Sequence, residues 1–117
     1  MIKRERPDVL HGMTRKIKTG CGNLYVTINE DESGNPIEVF CKLGKTGGCA
    51  ASQLEAVGRL ISMALRGGSS FEDLLQHLVG ISCHTPTGFG VTKVTSCSDG
   101  VARCLETYIK SRTKETK

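Results

Sequence analysis

The chain has no tryptophan, and only two Tyr and three Phe among its 117 residues. A core built from it is therefore mostly aliphatic. No apolar run approaches the roughly 20 residues needed to cross a bilayer, so no membrane contact is expected. The opening Met1-Ile2-Lys3-Arg4-Glu5-Arg6-Pro7 has no hydrophobic stretch and does not read as a secretory signal. A cytoplasmic location is expected. There, six cysteines argue against disulfides and for free thiols or a bound metal. Also missing is any Cys-x-x-Cys pair, which would be the strongest local sign of a metal site.

A phosphate-binding P-loop is excluded as well. Gly44-Lys45-Thr46 would need a glycine five residues before its Gly-Lys pair, and that position is Val39. What survives is weaker. A Gly-rich loop, Gly44-Lys45-Thr46-Gly47-Gly48, ends at a helix start and offers free N–H groups to an anion or nucleotide. A flexible strand-to-helix connection is the favoured reading.

A chain this short holds one domain. Its net charge of +4 belongs to its ends. Residues 1–18 carry six Lys/Arg against two acids, and residues 103–117 carry five against two. The middle has five basic and eight acidic residues. Residues 1–13 read as a basic arm, 14–110 as the domain and 111–117 as a flexible polar tail. Basic ends of this kind solubilise a domain or touch nucleic acid.

The alternation along the middle of the chain specifies strands. Lys16-Ile17-Lys18-Thr19 begins one. Leu24, Val26 and Ile28 form one face of a second, and Ile37, Val39, Cys41 and Leu43 one face of a third. Between the last two lies Glu30-Asp31-Glu32-Ser33-Gly34-Asn35-Pro36, a turn. Tyr25 and Phe40 fall on the opposite face. Two aromatics are few for a base-stacking platform, so they are expected to pack under another element. Helical spacing follows: Leu54, Val57, Ile61, Ala64 and Leu65, stopped by Gly67-Gly68; then Phe71, Leu74, Leu75, Leu78 and Val79 behind a Ser69/Glu72 or Ser70/Asp73 capping pair. A last helix from about Ser98 presents Val101, Cys104, Leu105, Tyr108 and Ile109, fraying after Lys110. The expected fold is α+β: a small antiparallel sheet with a central β-hairpin, packed against two to three helices.

The cysteines divide on this scheme. Cys41 and Cys104 lie on apolar stripes and are expected to pack. Cys21, Cys49, Cys83 and Cys97 lie at breaks between elements. Four thiolates suit a tetrahedral zinc, provided the fold converges them. An iron–sulfur cluster accepts the same ligands. Four unconnected thiols, or a thiol redox pair using Cys49 or Cys97 at a helix start, remain alternatives.

Several segments, in order, resemble one family. Thr95-Ser96-Cys97-Ser98-Asp99 is similar to the Thr-Ser-Cys-Pro-Asp signature of the TSCPD domain, with Ser98 in place of proline. Lys18–Asn29, Gly44–Cys49, Gly58–Ser62 and Gly80–Cys83 resemble its other segments. The substitution at Ser98 preserves a helix start, since serine caps well. The resemblance implies Cys21, Cys49, Cys83 and Cys97 as the signature cysteines. It also implies kinship with the C-terminal extension of adenosylcobalamin-dependent (class II) ribonucleotide reductases and with small free-standing homologues. The chain is several-fold too short for a reductase's catalytic barrel. Cobalamin is not expected on it alone, and its expected role is accessory. A reductase catalytic chain, nucleic acid or a nucleotide are the partners this implies.

Overall fold

The computed structural model describes residues 5–20, 22–44, 49–81 and 97–115. Three strands come first: β1 His11–Thr19, β2 Gly22–Glu30 and β3 Pro36–Leu43. Three helices follow: α1 Cys49–Arg66, α2 Phe71–Leu78 and α3 Cys97–Glu115. The strands form one antiparallel sheet in the order β1-β2-β3. This is the expected α+β architecture.

The β2–β3 hairpin forms where alternation and turn chemistry agree. Asp31 organises the tip: its carboxylate accepts from the amides of Ser33 and Asn35, both at 2.9 Å. The strand register then puts Leu24, Val26, Ile28, Val39, Cys41 and Leu43 on one face, where all are buried. That face meets Leu54, Ile61 and Leu65 of α1, Phe71 of α2, and Val101, Cys104, Leu105 and Tyr108 of α3 in a single core. Each fully buried aliphatic side chain contributes about 1.5–3 kcal/mol. The Phe71 and Tyr108 rings meet at 5.5 Å between centroids.

β1 begins at His11, inside the stretch read as an arm. It is an edge strand, and its side chains from His11 to Thr14 are exposed. No apolar alternation marks that half, so pairing with β2 makes the strand. The arm itself is anchored: Arg6 Nε reaches Glu38 Oε2 at 2.6 Å on the outer face of the sheet. Glu38 is buried there and also accepts from Asn29 Nδ2 at 2.8 Å. Burial opposes its ionisation, but the bonds from Arg6 and Asn29 prevail and hold its carboxyl below the usual range.

α1 lies against the free edge of β3. In the Ile28–Val39 pair, the Val39 amide and carbonyl face away from β2. Ser62 takes both: its Oγ accepts from Val39 N at 2.9 Å and donates to Val39 O at 3.1 Å. One turn earlier Gly58 is buried, and a Cβ there would sit 3.0 Å from Val39 O and 3.2 Å from Cys41 N. The absent side chain lets helix and strand backbones touch. α1 ends in a Schellman motif, with Gly68 at φ +98° and bonds from Gly68 N to Leu65 O and from Ser69 N to Ala64 O.

Of the two capping pairs expected for α2, Ser70/Asp73 forms, with Asp73 N donating to Ser70 Oγ at 3.1 Å. Val79, expected on the buried face, is the extended C-cap residue and is exposed. α3 continues to Glu115 rather than fraying at Lys110. Lys110 pairs with Glu106 one turn back.

Candidate metal centre

Each expected ligand is a cysteine next to an element end, so the ends define the candidate centre. Cys21 and Cys83 lie outside the described residues. Cys49 and Cys97 are the first residues of α1 and α3, and their side chains also lie outside what is described. Their described neighbours converge. Thr19 and Gly22, on either side of Cys21, are register partners at one end of the sheet. There Thr19 Oγ1 donates to Gly22 O at 2.8 Å. Gly44, just beyond β3, leaves from the same end, its amide donating to Asn23 O at 2.8 Å. Ala51, in the first turn of α1, and Gly44 line one groove, so α1 also begins at that end.

α3 points the same way. Its Tyr108 hydroxyl donates to the Glu30 carboxylate at the last residue of β2. One turn earlier, Cys104 packs in the core with Cys41, and Arg15 lies within electrostatic reach of it. Cys41 and Arg15 are both register partners of Val26. Moving back along α3 thus moves from the Glu30 row to the Val26 row, towards Gly22. Asp99, in the first turn of α3, is fully buried and accepts from Gly80 N at 2.8 Å. The chain leaving α2 towards Cys83 is thereby tied two residues from Cys97. Arg103 Nε stands 3.4 Å from the other Asp99 oxygen.

The chemistry of this end suits thiolates. A helix start carries partial positive charge and lowers a thiol's pKa. α1 has no acidic residue in its first turn to compete for that field, whereas α3 carries Asp99 in its own. Four thiolates would hold a tetrahedral metal and leave no position open for water. Among the described residues no group of three or more His, Cys, Asp or Glu is clustered for a metal. The expected ligand set falls largely outside those residues.

Cys41 and Cys104 behave as packing residues. They are 8% and 1% exposed and free. Burial, helped by the charge of Cys104, pushes the Cys41 thiol from 9.0 up to about 12. Burial pushes Cys104 up to about 11, with Arg15 partly offsetting it. Neither is a ready nucleophile or metal ligand. Because both folded-state values are raised, the stability linked to these neutral thiols is complete below pH 9.0 and is lost as pH rises towards 11–12. Mass-mapped alkylation at pH 8 is therefore expected to leave Cys41 and Cys104 unmodified in the native protein and to label both after denaturation. Fast native labelling at either position would contradict the packing described.

Sequence reasoning missed three features of this region: the Gly58 and Ser62 contacts with β3, the Asp99 clamp, and the openness of the outer sheet face. Gly58 and Ser62 are one helical turn apart, which was a readable signal for a close helix approach. Tyr25 and Phe40, expected beneath another element, are 36% and 51% exposed. The apolar faces of all three helices are used on the other side of the sheet.

The fold and its cysteine-flanked end define a small α+β module. The TSCPD domain family matches residues 2–109, and the chain belongs to that family. No curated protein and no solved structure matches it. No described helix is long and apolar enough to cross a membrane.

Proposed function

We propose that the chain is a metal-binding accessory module in which Cys21, Cys49, Cys83 and Cys97 hold one structural zinc. Two observations support this: the described neighbours of Cys21 and Cys49, namely Thr19 and Gly22 with Gly44 and Ala51, share one end of the sheet, and the Gly80–Asp99 bond ties the chain approaching Cys83 to the first turn of the helix that Cys97 opens. Zinc there would tie the β1–β2 turn to the starts of α1 and α3, adding folding free energy to a small domain. The partner we propose is the catalytic chain of a ribonucleotide reductase. This follows from the resemblance to the C-terminal extension of the adenosylcobalamin-dependent enzymes, and the module would serve deoxyribonucleotide synthesis without performing the reduction. The cytoplasm is the compartment that suits reduced thiolates.

The test is metal content per chain, by plasma emission, on protein purified without added metal. About one zinc is expected. Serine at Cys21, Cys49, Cys83 or Cys97 is expected to abolish it, and serine at Cys41 or Cys104 to leave it intact. Visible absorbance with iron would replace zinc by an iron–sulfur cluster on the same ligands. Metal-free protein whose four thiols titrate freely would sink the metal reading and favour thiol redox chemistry. Co-purification with the reductase's catalytic chain tests the partner separately.

A further inference from the structure

The outer face of the sheet carries a pattern that the metal centre does not use. The register sets Lys16, Tyr25 and Lys42 side by side in one row across all three strands. Phe40 partners Thr27, which places it diagonally from Tyr25, about 7–8 Å away. Lys18 partners Asn23 in the next row. All three lysines are exposed, and none has an ion pair among the described residues. The acids nearby are engaged: Glu38 by Arg6 and Asn29, and Glu55 by Arg59 at 3.4 Å. An open groove of ≈ 970 Å³ runs from Tyr25 and Phe40 past Lys42 and Gly44 to Arg59. The Tyr25 ring borders Gly44, 3.5 Å from where a Cβ would stand.

Of the four aromatic residues among those described, Phe71 and Tyr108 fill the core and the other two share this face. Exposed rings on an open sheet face, interleaved with lysines that have no ion pair among the described residues, are complementary to one class of partner. We infer that this face docks single-stranded nucleic acid, with successive bases stacked on Tyr25 and Phe40 and phosphates held by Lys16, Lys18 and Lys42. An apolar protein partner fits poorly, because it would bury three ammonium groups without counter-charges. A duplex fits poorly too, since its bases are already stacked and offer no free face to the rings. Stacking on the rings and contacts to phosphates do not distinguish the two sugars, so DNA and RNA single strands are expected to bind alike. This inference is independent of the metal proposal.

The test is fluorescence anisotropy of the full chain with labelled dT and U oligomers of about ten nucleotides, within the range of single-strand site sizes. Both are expected to bind, more tightly than a duplex of equal length. Three phosphate contacts predict a slope of log affinity against log salt of about −2. Tyr25→Ala and Phe40→Ala are each expected to weaken binding by about tenfold, the loss of one stacked base. Lys16→Gln with Lys42→Gln is expected to flatten the slope to about −0.7. Circular dichroism and thermal melting of each variant establish that the sheet is intact. No binding of either oligomer at low salt would overturn the inference. So would equal affinity for the duplex, or capture by anionic vesicles alone. Unchanged affinity in the aromatic variants, with loss instead in Lys3→Gln/Arg4→Gln, would move binding to the arm.

Discussion

Valine at Gly58 is expected to lower the thermal midpoint by roughly 10–20 °C, the largest single effect we anticipate outside the metal centre. The cause is contact between backbones. A Cβ at this position meets Val39 O at 3.0 Å and Cys41 N at 3.2 Å, and neither atom is the end of a flexible side chain. Valine adds two methyl groups beyond that Cβ, so α1 must move off β3. Ser62 would then lose its bonds to the Val39 amide and carbonyl, and Leu54, Ile61 and Leu65 would be drawn from the core. Overpacking of this kind costs about 1–3 kcal/mol, before the lost edge bonds are counted. Alanine tests the same contact at lower strain. It gains up to about 1 kcal/mol of helix propensity over glycine, which offsets much of its tight approach. Calorimetry of the wild type and the two variants is the check. A valine variant that melts with the wild type would mean that α1 does not rest on β3 as described.

Removing the Asp99 carboxylate should cost about 2–3 kcal/mol. Asp99 is fully buried, accepts from Gly80 N, faces Arg103, and stands in the first turn of α3, where negative charge is favoured. Asp99→Ala strands the Gly80 donor and leaves a void, while Arg103, about one-third exposed, can turn to water. The cost is therefore assigned mainly to the lost acceptor and only weakly to the ion pair. Asp99→Asn keeps an acceptor and loses the charge, so it is expected to recover at least half of the alanine loss. Urea unfolding of both variants measures the difference. If Asn and Ala destabilise equally, charge rather than hydrogen bonding holds α2 to α3. The clamp also bears on the proposed metal, because Gly80 is three residues from Cys83 and Asp99 two from Cys97. Asp99→Ala is thus expected to weaken zinc retention without removing a ligand.

The hairpin was readable because two independent signals coincide in it: a period of two in Leu24, Val26, Ile28 and Ile37, Val39, Cys41, and a turn whose Asp31 and Gly34 have defined jobs. The helix faces of Leu54, Ile61 and Leu65 and of Val101, Cys104, Leu105 and Tyr108 were readable for the same reason at period 3.6. The first half of β1 was not, because an edge strand exposed along His11 to Thr14 needs no apolar residue, and its partner supplies the order. Gly58 carries no hydropathy signal, and its burial arises only when two elements meet. Tyr25 and Phe40 were placed on the correct face by alternation. Their exposure followed from how the chain distributes its helices, which spacing within a strand does not encode. For the centre, the sequence separated packing cysteines from the rest: Cys41 and Cys104 are buried as expected, while Cys21, Cys49, Cys83 and Cys97 await the metal measurement.

The Ser62 bonds to Val39 carry a consequence for self-association. A sheet grows by offering unpaired amides and carbonyls along its rim, and intermolecular strand pairing begins there. On the β3 rim, α1 lies in the way and Ser62 occupies the central pair of groups. On the β1 rim no described element pairs, yet Arg15, Lys16 and Lys18 crowd that strand with like charge. A second copy approaching edge to edge meets a helix on one flank and electrostatic repulsion on the other. The molecule guards its two borders by different means, and the charged border loses its protection as ionic strength rises.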